Sequence, residues 1–403
     1  MAGLLPVDQA LARILDGVAP LPGMEIGLDA AAGRVLAGAI VARRTQPPFP
    51  ASAMDGYAVR AADIAAVPAR LALIGASIAG KRFGGPVGHG QAVRIFTGAP
   101  VPEGADTILI QEDAESHGDG TVTARAAVAA GRHIRRAGLD FEAGETILPA
   151  GRVLDPAALA LAAAAGGASV TVVRRPLVAI LATGNELVAP GAEPGPDQIV
   201  ACNSFGVAAV VAEAGGEALD LGIAPDETAA IRAAIRHALD LGADVVVTLG
   251  GASVGEHDLV AAALEAEGMT PGFWKIAMRP GKPLMFGRFG PARALGLPGN
   301  PVSALVCSHL FLKPLVAALA GRPFSPDIRE AVLAAPMKGN DHRRDYVRAE
   351  AALRHGKLVA TPCPTQDSSM LRTLAMANAL IVRDPDAPAA QAGDPCRVLI
   401  LRA

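Results

Sequence analysis

Apolar and polar residues follow two different rhythms along the chain. Up to about residue 170, short β-type runs such as LALIGAS and AVRIFTG stand between turns rich in Gly and Pro. From about residue 176, apolar runs of strand length alternate with longer stretches whose apolar residues recur at helical spacing. After GRPFSPDIRE the β-type runs return, for example in DYVRAEAALRHGKLVATP. The pattern predicts a multidomain α/β protein that is β-rich at both ends.

The central block, residues 176–320, has the most regular pattern. Its strands PLVAILATG, EALDLGIA and DVVVTLGG are each followed by a helical stretch, which predicts a parallel sheet with helices on both faces. Asn203 and Asp226 stand where helix N-caps are expected, and Gly215 and Gly242 stand where helices should end. We therefore expect a three-layer α/β domain here.

The flanking regions have their own patterns. Region 1–170 opens with MAGLLPVDQALARIL, whose apolar residues recur at helical spacing and predict an amphipathic helix. It is not predicted to be an export signal, because an acidic residue stands where such a signal would be basic. Strand and helix patterns return at GETILPAGRVLDPAALALAAAAG, so residues from about 45 to 140 are predicted to be an inserted β subdomain. The uncharged run 157–173 predicts a buried Ala-rich helix followed by a strand, because it is weakly hydrophobic for a membrane span. Residues 325–403 predict a small β domain.

The composition indicates a globular protein and argues against nucleic acid and anionic lipid as partners. Hydrophobic residues make up 51% of the 403 residues and charged residues 19%, so apolar surface is ample. A net charge of −3 and 3% aromatic residues argue against binding to nucleic acid or to anionic lipid. The cysteines lie far apart, which indicates reduced thiols in a cytoplasmic protein: Cys202, Cys307, Cys363 and Cys396. Any anionic ligand must be held by a local site.

Two glycine-containing loops follow predicted strands of the central block, where open α/β sheets bind ligands. ILATGNEL offers small residues and a carboxylate at Thr183, Gly184 and Glu186, although by itself it is equally a capped turn. VVVTLGGASVGEHD lacks P-loop spacing, but its paired glycines permit close backbone approach to a phosphate. The candidates in that loop are Gly250, Gly251, Ser253, Gly255 and Asp258, the last of which a helix dipole explains equally well.

Cations concentrate in one further segment, FWKIAMRPGKPLMFG. The chain has only six lysines, yet Lys275 and Lys282 lie within eight positions of each other, with Arg279 between them. A strand that brings three cations to one end predicts a polyanion site, with a solvated face as the alternative. The next segment, LGLPGNPVSALVC, predicts a strand-to-helix turn suited to anions at Pro298, Gly299 and Asn300.

The N-terminal region contributes two polar turn motifs. Asp55 stands in MDGYA and Thr97 stands in FTGAP. By themselves both motifs indicate only turns.

Taken in order, these motifs closely resemble the MoeA family of molybdopterin molybdenumtransferases, which includes the C-terminal part of gephyrin. The resemblance runs through PPFPASAMDGYAV, RIFTGAPVPEGAD, IRRAGLDFEAGE, ILATGNEL, LGIAPDE, TLGGASVGEHD, WKIAMRPGKP and LPGNPVS, and QDSSMLRTLAMAN continues it. It implies insertion of molybdate into adenylylated molybdopterin, with release of AMP in a Mg²⁺-dependent step. It also implies a central domain like molybdopterin adenylyltransferase, a C-terminal β-barrel, and a homodimer that shares its active sites across the interface. Transient contact with an adenylyltransferase is a further implication.

The resemblance also assigns roles to residues. It places Glu186, Asp226 and Asp258 around Mg²⁺ and the pterin phosphate. It places Lys275, Arg279, Arg348 and Ser368 around molybdate. The remaining functional positions that it implies are Asp55, Thr97, Asp140 and Lys282.

Three positions depart from the family pattern. Asn185 replaces a usual Asp, Arg279 replaces a common Lys, and Asp367 adds a carboxylate near the implied anion site. Two other functions are alternatives: an adenylyltransferase on the same central fold, and a gephyrin-like scaffold without activity. The long N-terminal region disfavours the first, and the acidic and basic site residues disfavour the second.

Overall fold

The computed structural model describes residues 4–251 and 259–402. The chain divides into a main unit, within Met1–Met24 and Val173–Ala403, and a second unit, Glu25–Val172. Helix α1 (Val7–Leu15) opens the main unit, with Val7, Ala10 and Ile14 buried as helical spacing predicts.

The second unit is β-rich, as predicted. Its elements are β1 (Gly23–Gly27), β2 (Ile40–Val41), β3 (Ala51–Ser52), β4 (Gly56–Val59), β5 (Ala69–Ser77), β6 (Gln91–Ile95), β7 (Thr107–Ile110), β8 (Ala114–Ser116), β9 (Thr121–Ala124), β10 (Ile134–Arg135), β11 (Thr146–Leu148), α2 (Pro156–Ala164) and β12 (Ser169–Val173). Strands β4 to β9 form a sheet in the order β7-β4-β6-β5-β9-β8. Helix α2 begins at Pro156 because the Asp155 carboxylate accepts a hydrogen bond from the Ala158 N–H at 2.8 Å. Helix α2 and strand β12 confirm the prediction for the uncharged run.

The central part of the main unit is an α/β domain. Its elements are β13 (Leu177–Thr183), β14 (Leu187–Val188), β15 (Ile199–Val200), α3 (Asn203–Glu213), β16 (Glu217–Ala224), α4 (Thr228–Asp240), β17 (Val245–Leu249), α5 (Leu259–Ala266), β18 (Thr270–Trp274), β19 (Met278–Arg279), β20 (Met285–Phe289), β21 (Ala292–Leu297), α6 (Pro301–Cys307) and α7 (Lys313–Leu319). The sheet order is β16-β13-β17-β21-β20-β18, with β16, β13, β17 and β21 parallel. The prediction of a parallel sheet is confirmed for these four strands and is wrong at β20 and β18, which pair antiparallel. Only two residues join β20 to β21, too few for a crossover, so these strands form an antiparallel hairpin.

Helices cover both faces of this sheet, which confirms the three-layer prediction. Along β13, Val178 and Ile180 pack into the core shared with α1, α3, α6 and α7. Ala179 and Leu181 pack into the opposite core, shared with α4 and α5. This alternation is what a strand buried on both faces requires. The apolar run Pro301–Leu319 is long enough to cross a membrane, but 72% of its most hydropathic window is buried inside the domain.

The helix ends were predicted with mixed success. Gly215 and Gly242 follow α3 and α4 with φ of 92° and 77°, which confirms their role in ending the helices. Asn203 and Asp226 are not N-caps, because α3 starts at Asn203 itself and α4 starts two residues after Asp226. Both side chains instead bond to other segments of the domain.

The C-terminal part of the main unit is a small barrel. Its elements are β22 (Ile328–Leu333), β23 (Arg344–Arg354), β24 (Lys357–Pro362), α8 (Leu371–Met376), β25 (Ala379–Arg383) and β26 (Pro395–Ile400). Closure follows from the pairing β23-β24-β22-β26-β25, with β25 also bonded to β23. Val347, Ala349, Ile381 and Val398 fill its interior. The six-residue helix α8 was not predicted, because it is too short to show a helical period.

Candidate functional site

A cleft of about 880 Å³ opens at the carboxyl ends of β13, β17 and β21. These strands end at Thr183, Leu249 and Leu297, so the loops that follow them form the cleft wall. Many of the predicted site residues line the cleft: Thr183, Gly184, Glu186, Asp226, Gly250, Gly251, Lys275, Lys282, Pro298, Gly299 and Asn300. The predicted site residues Ser253, Gly255 and Asp258 lie outside the described residues.

The two glycines after β17 allow the closest backbone approach. Gly250 and Gly251 have φ of 94° and 65°, in the region that favours glycine. A Cβ on Gly250 would lie 2.8 Å from the Thr183 carbonyl oxygen, and one on Gly251 would lie 2.2 Å from a Val260 methyl carbon. The Thr183 hydroxyl is buried beside them and has no hydrogen-bond partner among the described residues. A polar ligand group in the cleft would find a donor and exposed backbone here.

Gly250→Ala should therefore destabilise the protein, whereas Gly299→Ala should not. The first change adds a Cβ at positive φ against a backbone oxygen, and we expect a loss of about 1–3 kcal/mol in the free energy of unfolding. The second adds a Cβ whose nearest neighbour, the Gly250 Cα, is 3.6 Å away, which is ordinary contact. Urea denaturation of both variants beside wild type measures the difference. Equal losses in the two variants would contradict this account of the turn.

The acidic wall of the cleft contains two exposed carboxylates, Glu186 and Asp226. Asp226 is fixed by reciprocal hydrogen bonds with Asn185: the Asn185 N–H donates to Asp226 Oδ2 at 3.3 Å, and the Asp226 N–H donates to Asn185 Oδ1 at 3.1 Å. The amide at position 185 thus orients Asp226 without adding charge. Among the described residues, no group of three or more His, Cys, Asp or Glu side chains is arranged to hold a metal ion.

The basic wall contains Lys275 and Lys282. Strand β18 ends at Trp274, and Lys275 turns the chain with φ of 64° while its N–H donates to the Leu284 carbonyl at 3.0 Å. Within the described part of the chain neither lysine forms an ion pair, in contrast to Lys313, which binds Glu213 at 2.8 Å. The two cleft lysines can therefore neutralise an anionic ligand at no cost in ion pairs among these residues.

Arg279 is not among the residues that line the cleft, in contrast to Lys275 and Lys282. The prediction that one strand end presents all three cations is therefore wrong. It belongs to β19, which pairs with β23 of the barrel. Its guanidinium binds Asp345 at 2.6 Å and Asp341 at 3.5 Å, and the Asp345 hydrogen bond raises the pKa of Arg279. No local pattern could indicate this, because both carboxylates are more than sixty residues away.

A loop of the barrel closes one side of the cleft. Ser369 lines the cleft, and Ser368 is bonded to the neighbouring turn: its hydroxyl oxygen accepts from Asn300 Nδ2 at 2.9 Å and its carbonyl accepts from the Val302 N–H at 3.2 Å. Sequence reasoning named Ser368 and missed Ser369, because the QDSS segment gives no indication of which serine faces the cleft.

Arg348 stands behind that loop. It is only 2% exposed, and its Nη2 donates to the Asp367 carbonyl at 3.2 Å, while its Nε has no partner among the described residues. Burial lowers the pKa of Arg348. A buried cation with so few partners is costly in free energy unless it serves an anion.

The predicted residues of the second unit form their own local arrangement. The Thr97 N–H and hydroxyl donate to Asp55 Oδ1 at 2.7 and 2.9 Å, and these bonds lower the pKa of Asp55. Asp140 is exposed in a loop, where its N–H donates to the Gln46 carbonyl at 3.0 Å. The MDGYA and FTGAP turns thus meet in one carboxylate-centred contact.

An open α/β sheet whose strand ends carry glycine turns, two lysines and two carboxylates around a cleft is typical of proteins that bind a charged small molecule. Three family models match the chain in order: the MoeA N-terminal region (domain I and II) over residues 5–166, a probable molybdopterin binding domain over 179–318, and the MoeA C-terminal region (domain IV) over 330–401. The chain belongs to the MoeA family, as the sequence motifs indicated.

Relatives and solved structures agree with this assignment over the full length. The molybdopterin molybdenumtransferase of Haemophilus influenzae is 36% identical over 97% of each chain, and that of Bacillus subtilis is 35% identical over 99% of this chain and 94% of its own. A crystal structure described as a molybdopterin biosynthesis MoeA protein from Pyrococcus horikoshii superposes with a TM-score of 0.85 at 30% identity, with complete coverage of both chains. These matches confirm the predicted multidomain α/β fold with its C-terminal barrel.

Proposed function

We propose that this protein is a molybdopterin molybdenumtransferase, which inserts molybdate into adenylylated molybdopterin and releases AMP. The observation that carries the proposal is the cleft, where glycine turns and two lysines without ion pairs among the described residues face two carboxylates, in a chain that matches a relative of this family over 97% of each sequence. An adenylyltransferase and an inactive scaffold are less well supported, because the relatives named molybdenumtransferases match the N-terminal region as well. The test is whether AMP release from adenylylated molybdopterin depends on molybdate.

The pterin phosphates are proposed to lie over the two glycine-containing turns. Gly251 and Gly299 are exposed there, and the buried Thr183 hydroxyl has no hydrogen-bond partner among the described residues. Backbone N–H groups and hydroxyls that await an anion need no rearrangement when it binds, so they orient the ligand at low cost.

Molybdate is proposed to lie on the basic side of the cleft. Lys275 and Lys282 supply positive charge on the wall, and Arg348 adds charge from behind the loop that contains Ser368 and Ser369. A dianion beside a phosphate-bearing pterin needs such cations to offset Coulomb repulsion. We propose that Arg279 instead positions the barrel through Asp345, since its guanidinium is already paired.

Magnesium would be held by Glu186 and Asp226, whose carboxylate oxygens are the hard donors that this ion prefers. When bound, Mg²⁺ would neutralise phosphate oxygens of the substrate. Asn185 keeps Asp226 in place for this role. We also propose a cytoplasmic location, which fits four free cysteine thiols, and a transient handover of substrate from an adenylyltransferase.

We further propose a homodimer in which Asp55 and Thr97 of one subunit complete the site of the other. Mixing Asp55→Ala with Lys275→Ala protein should then restore activity, because a heterodimer holds one site free of both changes. Random pairing puts half of the dimers in that state, so we expect about a quarter of wild-type AMP release. A mixture that has demonstrably exchanged subunits and remains inactive would refute the shared site.

A further inference from the structure

Asn203 ties the start of α3 to a distant turn of the cleft. Its side-chain Nδ2 donates to the Gly299 carbonyl at 2.7 Å, across 96 residues of chain. Both residues line the cleft. The asparagine was expected to cap α3, yet its amide is used on the Pro298–Asn300 turn instead.

That turn has few backbone donors of its own. It is bounded by Pro298 and Pro301, neither of which has an N–H group. The position of the turn therefore depends on bonds from outside, of which the Asn203 amide is one.

The Pro298–Asn300 turn and the residues after it are hydrogen-bonded to the barrel loop. Asn300 Nδ2 donates to the Ser368 hydroxyl at 2.9 Å, and the Val302 N–H donates to the Ser368 carbonyl at 3.2 Å. Two asparagine amides in series thus connect α3, the Pro298–Asn300 turn and the loop that carries Ser369 into the cleft. Loss of the Asn203–Gly299 bond should therefore loosen the contacts among all three segments.

We propose that Asn203 is a positioning residue for the adenylylated pterin: by holding the Gly299 carbonyl it places the Pro298–Asn300 turn, and through Asn300 the barrel loop, against the ligand. This rests on the proposed function for the identity of the ligand. The coupling of the turn to the barrel loop is independent of the proposed function, because these hydrogen bonds exist in the protein without ligand.

The experiment compares Asn203→Ala with Asn203→Asp and a matched control, Asn378→Ala. Asn203→Asp keeps the size of the side chain but replaces the donor by an acceptor, so it tests the hydrogen bond should the alanine variant fold poorly. Asn378 also bonds backbone, at Ala351 with distances of 2.7 and 3.0 Å, but within the barrel and away from the cleft. Amide hydrogen exchange of the peptide around residues 366–370 is measured without ligand, and kcat and KM for adenylylated molybdopterin are measured at saturating molybdate.

Both Asn203 variants should exchange faster around 366–370 and raise KM on the order of tenfold with kcat within about twofold. The control should change neither quantity. Unchanged exchange, or unchanged KM, in both Asn203 variants overturns the positioning role. A wild-type protein without molybdate-dependent turnover would overturn the proposed function instead, while the exchange comparison still decides whether Asn203 places the loop.

Discussion

Lys275→Gln should weaken the apparent affinity for molybdate about ten- to hundredfold. Gln keeps much of the length and can still donate hydrogen bonds, but it removes a charge that no ion pair among the described residues occupies. A charged contact in a partly dehydrated site contributes roughly 1.5–3 kcal/mol, which corresponds to that range of affinity. Raising molybdate should partly restore turnover, because the lost charge acts on the anion.

The measurement is AMP formed against molybdate concentration at fixed Mg²⁺ and saturating adenylylated pterin. Lys357→Gln, on strand β24 of the barrel and exposed, serves as the charge-matched control and should give the wild-type curve. Coincident molybdate curves for Lys275→Gln and wild type would remove Lys275 from the anion site.

Arg348→Met should lower turnover at least a hundredfold, while the protein stays as stable as wild type or becomes more stable. Arg348 is 2% exposed and its guanidinium has one backbone acceptor among the described residues, so replacing it by an apolar side chain of similar length removes a desolvation penalty. The same change removes a positive charge from behind the Ser368–Ser369 loop. Loss of activity with retained stability is the pattern expected of a residue kept for function.

Arg279→Met provides the opposite pattern as a control. Its guanidinium is exposed and binds Asp345 at 2.6 Å, so its removal leaves that carboxylate without this partner and should lower the melting temperature, while Asp341 keeps its ion pair with Arg343. Thermal unfolding and AMP release of both variants are measured together. An Arg348→Met protein that is clearly less stable than wild type and still active would assign Arg348 to the fold.

The sequence predicted the central domain well because its information is local. Apolar runs such as that of β13 and the glycines after α3 and α4 determine where strands and helices end, and strand ends in turn place the cleft. Thr183, Glu186 and Gly250 could be named on that basis alone. The antiparallel β20–β21 hairpin was not predicted, and it departs from the alternation of strands and helices because only two residues separate its strands.

The remaining errors concern partners distant in sequence. The residues around Arg279 do not indicate its ion pair with Asp345, so a free cation was the reasonable expectation there. Likewise the residues around Asn203 do not indicate its bond to Gly299, so a helix cap was expected. Ser369 was missed because only the folded loop shows which serine faces the cleft. The contacts of Arg279 and Ser369 depend on how the barrel packs on the central domain, and that of Asn203 depends on how α3 packs beside the turn after β21. Local periodicity encodes neither.

The central claim is that the cleft joins molybdate to adenylylated pterin. The most direct measurement is AMP released by the wild-type protein from adenylylated molybdopterin, with Mg²⁺ present, in the presence and absence of molybdate. We predict that AMP formation requires molybdate and saturates with its concentration. AMP release that proceeds equally without molybdate, or no release at any molybdate concentration, would contradict the assigned reaction.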